Sequence, residues 1–268
     1  MEKTKATYFG YDTLSAADNM AIDELLEEKA GATGNLYLRF YDTPKNAIVL
    51  SISDHMKVIA RDTSDAELSR RISGGKPIFL GKGTLSYSIE GPLSVLGSKQ
   101  TRFGNPNAIH QMLGPHLAEA LRRVAGLSSD RLTLGEVYSI NIDGKPVAGH
   151  AQHINASSFI YHGVMAIEKW DAEYISERLR LREGDYEKLD SLPYIKQFVN
   201  GSTESLKQNI IDSMKQTFEI VPMNQAERSE IMQRSEKLAA EKYSSSGWVM
   251  RTDDGMKENS TFCLLYTG

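Results

Sequence analysis

Residues 70–79 read Arg-Arg-Ile-Ser-Gly-Gly-Lys-Pro-Ile-Phe, and 81–88 read Gly-Lys-Gly-Thr-Leu-Ser-Tyr-Ser. Two arginines lead into paired glycines, where the backbone can approach a ligand with no Cβ in the way. The period-2 stretch 84–90 that follows predicts a strand able to present the loop rigidly. Arginines beside free backbone N–H groups suit an anion such as a phosphate or carboxylate. The segment is not a Walker loop, which needs GxxxxGK[ST], nor a dinucleotide fingerprint, which needs GxGxxG before a helix. The competing reading is an ordinary turn between strands with solvated arginines.

Working outward, residues 36–40 alternate as a strand, 47–53 read as a more buried one, and 61–68 as a short helix entering the Gly-rich segment. Ser15 and Asp18 carry the capping-box pattern, followed by Met20, Ala21, Leu25 and Leu26 at helical spacing. Asn105-Pro106 caps a helix whose face is Ile109, Met112, Leu113, Leu117, Leu121 and Val124, stopped by Gly126. Residues 137–142, 146–154 and 159–168 form a three-stranded meander with a turn at Asp143-Gly144. Helices are expected from Asp171, from Ser202 (Leu206, Ile210, Met214 and Phe218 on one face) and near Asn224. The charge alternation in 171–188 reads as a solvated helix face. Residues 248–268 read as short alternating material with a turn at Asp253-Asp254-Gly255. Strands mixed with helices, without a regular βαβ rhythm, predict an α+β fold, with 1–268 as a single domain.

The chain has 268 residues, 40% apolar and 25% charged, which excludes dominant disorder. No apolar run approaches the roughly 20 residues a bilayer requires. The N-terminus lacks a secretory h-region, so a cytoplasmic protein is expected, with no membrane partner. A net charge of −4 and a pI near 5.9 argue against a nucleic-acid partner. The single cysteine, Cys263, can neither form an internal disulfide nor contribute to a zinc cluster, and it reads as a half-buried strand residue.

A second segment, 141–152 (Asn-Ile-Asp-Gly-Lys-Pro-Val-Ala-Gly-His-Ala-Gln), precedes 159–165 (Phe-Ile-Tyr-His-Gly-Val-Met). Lys145 follows a tight turn and precedes a proline that fixes its backbone. It can bridge two anions, or it is a solvated hairpin lysine. His150 and His153 face opposite sides of a strand, so no metal site is expected there. Trp170 and Trp248 read as packing residues.

Taken together, the two segments resemble the lipoate–protein ligase A family of the biotin/lipoate ligase superfamily. The first is similar to R-R-x-S-G-G-G-A-V-[FY]-H-D…L-N-[FY]-S, and the second to G-x-K-[IV]-[SAM]-G-x-A-Q followed by H-G-x-[LM]. The 36–40 strand and the Lys242-Tyr-Ser-x-x-x-Trp248 stretch fit as well, and the resemblance spans about 8–248. It implies a mixed, mainly antiparallel β-sheet packed with helices. The activity implied is activation of lipoate (or octanoate) with ATP and Mg2+ to an acyl-adenylate. The acyl group then passes to a lysine of a lipoyl-domain acceptor, an E2 subunit or the glycine-cleavage H protein. Carried over by position, the catalytic lysine is Lys145. Substrate and nucleotide are held by Arg70, Arg71, Ser73, Gly74, Gly75, Lys76, Pro77, Ile78, Phe79, Gly149 and His162. The length matches short forms without a C-terminal accessory domain, some of which require a separate accessory subunit.

Three departures from the motifs stand out. Lys76-Pro77 replaces Gly-Ala; Leu80-Gly81 replaces His-Asp, with Ser86 for the asparagine; and Pro146 occupies the lysine position, with Lys145 one residue earlier. A one-residue shift in a strand turns a side chain to the opposite face, and Lys76 is a substitute source of charge. An ATP-independent octanoyl or lipoyl transferase needs a cysteine nucleophile. With Cys263 outside the resembling region, the ligase is favoured over that alternative. A non-catalytic lipoate- or nucleotide-binding relative is the third reading, supported by the departures. The G-R-G-R-x-G-R-x-W loop expected for biotin ligation is absent.

Overall fold

The computed structural model describes residues 3–59, 63–99, 105–135, 138–198 and 202–251. The chain opens with β1 (Thr4–Thr13) and α1 (Ala16–Thr33). Ser15 Oγ starts α1 by accepting the Asp18 N–H at 3.1 Å, and Gly34 ends it at φ 73°. Then come β2 (Leu36–Asp42), β3 (Ala47–Leu50), β4 (Glu67–Arg70), β5 (Ile78–Leu80) and β6 (Thr84–Pro92). Asn105 caps α2 (Pro106–Ala125) by accepting the Ala108 N–H at 3.0 Å. β7 (Leu132–Leu134), β8 (Ser139–Ile142), β9 (Lys145–Ile154) and β10 (Ser158–Ala166) follow. The last third holds α3 (Ala172–Arg178), α4 (Asp185–Asp190), α5 (Thr203–Met214), β11 (Phe218–Pro222), α6 (Gln225–Leu238) and α7 (Ser246–Val249).

Eight strands form one sheet in the order β11-β1-β2-β6-β10-β9-β8-β7. β1 runs parallel to both β11 and β2, and every other pairing is antiparallel, so the sheet is mixed and mainly antiparallel as expected. A small sheet, β4-β3-β5, stands apart from it. The alternation in β2 sorts the layers. Leu36, Leu38 and Phe40 pack with α2 and α5, while Tyr37 joins the cluster of α1 and α6. A third cluster joins the N-terminal end of α1 to the small sheet and to Val164 of β10.

Several local readings are corrected. Residues 63–66 form a turn (Ala66 N–H to Thr63 O, 2.9 Å), and 67–70 are β4 rather than helix. Parallel pairing with β3 satisfies that backbone and overrides local propensity. β3 ends at Leu50 because the Ser51 N–H donates to Asp54 Oδ2 at 2.6 Å, turning the chain. Phe218 begins β11 instead of extending the face of α5, and β1, β7 and β11 were not legible as strands. The 171–188 stretch divides into α3 and α4, and residues 246–249 are helical. Cys263 and the Asp253-Asp254-Gly255 turn lie outside the described residues. Among the described residues no helix is long and apolar enough to cross a membrane.

Candidate functional site

The Gly-rich loop between β4 and β5 crosses in front of β9 and β10 and forms with them a cavity open to solvent on one side. Its apolar wall is Met20, Tyr41, Val49, Ile78, Leu80 and Val164, all drawn from one packed cluster. The polar wall is formed by Arg71, Gly75, Lys76, Ser139, His150 and His162. Among the described residues no carboxylate lines it. Gly75 sits at φ 94°, and a Cβ there would lie 3.0 Å from Arg71 Nη2, so the turn favours glycine by its backbone conformation and by its closeness to Arg71.

Arg71 is buried and braces the loop from beneath. Its Nε donates to Ser73 Oγ (2.8 Å), Nη1 to Val49 O (3.1 Å), and Nη2 to Gly74 O (2.6 Å) and Lys76 O (2.8 Å). Burial lowers its pKa to about 10, which still leaves it charged at neutral pH. With the Gly74 and Lys76 carbonyls held from below, Gly74, Gly75 and Lys76 have N–H groups with no hydrogen-bond acceptor among the described residues. Such a row of donors fits an anion.

A buried relay fixes the loop to the rest of the fold. Ser73 Oγ lies 2.6 Å from His162 Nε2, and His162 Nδ1 lies 2.9 Å from Asp23 Oδ2. Arg39 Nη1 donates to Asp23 Oδ1 at 3.2 Å. A carboxylate accepts only, so Nδ1 carries the imidazole proton. Ser73, already accepting from Arg71, donates its hydroxyl proton to Nε2. Asn19, Asp23 and Glu27 share one face of α1 at four-residue spacing. Glu27 accepts from His153 Nδ1 at 2.9 Å, and Glu90 is fully buried alongside. Burial and the nearby charges of Asp23 and Glu27 push the Glu90 carboxyl well above the usual carboxylate range.

His150 has a different environment. Nδ1–H donates to the Tyr138 carbonyl (2.5 Å), Nε2 accepts from the Tyr87 hydroxyl, and the ring stacks on Tyr161 with centroids 4.6 Å apart. Burial lowers its pKa to about 3, so His150 is a neutral wall with both nitrogens occupied, and it cannot serve as a base.

Of the residues expected from sequence, Arg71, Gly75, Lys76, Pro77, Ile78, Gly149 and His162 line the cavity. Ser73 and Gly74 lie behind the loop and hold its shape. Three expectations are corrected. Arg70 alternates to the far side of β4, where it donates to the carbonyls of Ser51 (2.7 Å), Asp54 (2.8 Å) and Val249 (3.0 Å). Phe79 turns away from the cavity to pack on Tyr174 and Trp170, centroids 5.5 and 6.3 Å away. Lys145, at the exposed start of β9, points Nζ at Ser191 O (3.5 Å), and Pro146 beside it is buried. Sequence reading missed Asp23, Tyr41 and the cavity position of His150. The available signal was the polar Asn19/Asp23/Glu27 row beside an apolar stripe.

Residues 15–191 match the family described as lipoyl protein ligase A/B catalytic domain. The fold is similar to that of the bi-partite lipoate protein ligase of Thermoplasma acidophilum, studied with its E2 lipoyl domain. That match has a TM-score of 0.74 and 16% identity, covering 94% of this chain and 99% of that one. It is similar to lipoate-protein ligase A bound with ATP (TM-score 0.72, 16% identity, 93% and 99% covered). P. falciparum LipL1 in complex with lipoate is a further match (TM-score 0.70, 10% identity, 92% and 74% covered). No curated protein matches the chain.

Proposed function

The chain belongs to the lipoyl protein ligase A/B catalytic-domain family, and from that premise we propose that it joins lipoate (or octanoate) to a lipoyl-domain protein at the expense of ATP. The observation that carries this reading is an apolar wall ending at a loop of free N–H donors and cations, with no carboxylate among the described lining residues. A medium-length fatty acid needs those two environments side by side.

The chemistry asks for them too. A carboxylate is a poor acyl donor, and a mixed anhydride with AMP supplies a good leaving group. Forming it brings a carboxylate up to a phosphate. Two unit charges 4 Å apart repel by about 4 kcal/mol at an effective dielectric constant of 20, so fixed donors must offset that repulsion. The acyl chain lies along Met20, Tyr41, Val49, Leu80 and Val164. Its carboxylate and the nucleotide's phosphate meet the N–H groups of Gly75 and Lys76. Arg71 and the Ser73–His162–Asp23 relay keep those donors aimed, so little reorganisation is needed during reaction.

Among the described residues no group of three His, Cys, Asp or Glu is placed to hold a metal. A Mg2+ ion would therefore come on the triphosphate rather than in a site of the lining. The acceptor, an E2 lipoyl domain or a glycine-cleavage H protein, presents its lysine at the open side of the cavity; a separate accessory subunit is a further proposed partner. The T. acidophilum ligase studied with its E2 lipoyl domain supports that acceptor class.

The test is pyrophosphate release with Mg-ATP and lipoate, then octanoate, with and without an apo lipoyl domain, and mass spectrometry of the acceptor. Acylated acceptor formed only with ATP is the expected result. Acylation from a thioester donor without ATP would move the reading to a transferase. Binding without turnover, even with an accessory subunit added, would move it to a non-catalytic relative.

A further inference from the structure

We infer that Lys76 is the catalytic cation of this site, the lysine whose ammonium group sits between the two reacting anions. The inference rests on the ligase reading above and assigns a role that the β9 hairpin does not fill. Chain direction is the first ground. In β5 (Ile78–Leu80) side chains alternate: Ile78 and Leu80 line the cavity, while Phe79 packs on the opposite side against Tyr174. Lys76 and Pro77, just before the strand, line the cavity too. Lys76 is thus rooted where the apolar wall gives way to the free N–H groups.

Availability is the second. Among the described residues the cavity lining contains two formal cations, Arg71 and Lys76, and no acid. Arg71 has committed Nε and Nη2 to Ser73, Gly74 and Lys76, and a contact from Nη1 to Val49. The Lys76 ammonium has no hydrogen bond or ion pair among the described residues. By contrast Lys145 lies outside the lining, on the Ser191 carbonyl, and Lys242 is held by Glu24 at 2.6 Å. The third ground is anchorage. The Lys76 carbonyl is held by Arg71 Nη2 at 2.8 Å, and Pro77 fixes the following φ, so a mobile side chain springs from an immobile root.

In the first half-reaction a carboxylate oxygen forms a bond to the α-phosphorus, and the bond from phosphorus to the β-bridging oxygen breaks. Pyrophosphate leaves with that electron pair. No proton moves in this step. Lys76 contributes positive charge between the attacking carboxylate and a non-bridging phosphate oxygen, where negative charge accumulates. The described β9 residues of the lining, Gly149, His150 and Ala151, carry no formal cation, and Lys76 supplies one from the loop opposite.

The experiment compares wild type, Lys76→Ala and Lys76→Arg by calorimetric titration with two probes. One is the anionic sulfamoyl mimic of lipoyl-adenylate, and the other is neutral lipoamide. Pyrophosphate release is measured in parallel. Lys76→Ala is expected to weaken the anionic probe more than tenfold and to leave lipoamide within twofold. It should also lower kcat more than tenfold, with KM for lipoate changing less than threefold. Lys76→Arg, which keeps the charge, recovers most of the affinity. Equal effects on both probes, or no effect on the anionic one, would overturn the assignment. So would a large loss of turnover in Lys145→Ala with Lys76→Ala near wild type. Charge-dependent binding in a wild type that releases no pyrophosphate would support Lys76 as the anion contact while sinking the ligase reading.

Discussion

Gly163 occupies a position where no side chain fits. A Cβ there would come within 2.5 Å of the Gly149 carbonyl oxygen, 2.7 Å of His150 Cδ2 and 2.9 Å of the Tyr87 hydroxyl. Backbone on one side and a hydrogen-bonded pair on the other leave little room to give. Gly163→Ala is therefore expected to cost about 1–3 kcal/mol, the usual penalty of overpacking, read as a lower urea midpoint. It should also weaken ligand binding, because Gly163 and His150 both line the cavity. An unchanged midpoint would show that β9 and β10 separate more easily than their pairing implies. The His162-Gly163 pair was visible in the sequence as a motif. Its reasons were not, since they depend on Asp23, Tyr87 and Gly149 arriving from three other elements. The placement of Lys145 outside the lining was hidden for a related reason, because which side of a hairpin it faces depends on the β8–β9 pairing, whose register shifts between Ile140 and Asn141.

At the scale of elements, α7 clamps β4, the strand that leads into the Gly-rich loop. Trp248 Nε1 donates to the Arg70 carbonyl at 2.8 Å, and Arg70 returns Nε to Val249 O at 3.1 Å. Ser69 Oγ adds a bond to Tyr243 O at 3.3 Å. Trp248→Phe keeps the aromatic bulk but removes the indole N–H that donates to the Arg70 carbonyl. It should destabilise the chain by about 1 kcal/mol. The same variant should raise hydrogen exchange in the loop, because β4 loses part of its cover. Destabilisation without faster exchange there would mean the loop is held by Arg71 alone. Caps such as Ser15 and Asn105 were legible because each is a local arrangement of four residues. β4 and β11 were not, because three to five residues become a strand only through a partner far away in sequence.

For the whole molecule, two buried groups tilt stability against pH in opposite directions. His150 is neutral in the fold, with a pKa lowered to about 3 by burial, whereas the unfolded chain protonates it near 6.5. Its contribution is fully present above pH 6.5 and is lost as pH falls toward 3. Glu90 is protonated in the fold, its pKa raised by burial, Asp23 and Glu27. Its contribution is present below pH 4.5 and is lost as pH rises toward its folded pKa. Each slope is at most about 1.4 kcal/mol per pH unit. Relative to wild type, Glu90→Gln should therefore gain stability as pH rises from 5 to 8, and His150→Gln should gain as pH falls from 7 to 5. Urea midpoints at three pH values test both signs. Parallel curves for variant and wild type would show that neither proton is coupled to folding.

The sequence by itself determined the α+β class, the capped helices, the strand over 84–90 and the meander read over 137–168. Each of these follows from periodicity or chemistry within a few residues. Only the tertiary structure decided that β1 pairs in parallel with both β2 and β11, and that Arg70 and Phe79 turn away from the cavity. It alone put Lys76 inside and Lys145 outside. It also joined Asp23 to His162 across 139 positions and Ser73 to His162 across 89. The physical reason is the same throughout. Local geometry fixes where the backbone can bend, but the direction of a side chain in a strand, and the partner of a buried charge, are set by whichever neighbour removes them from water.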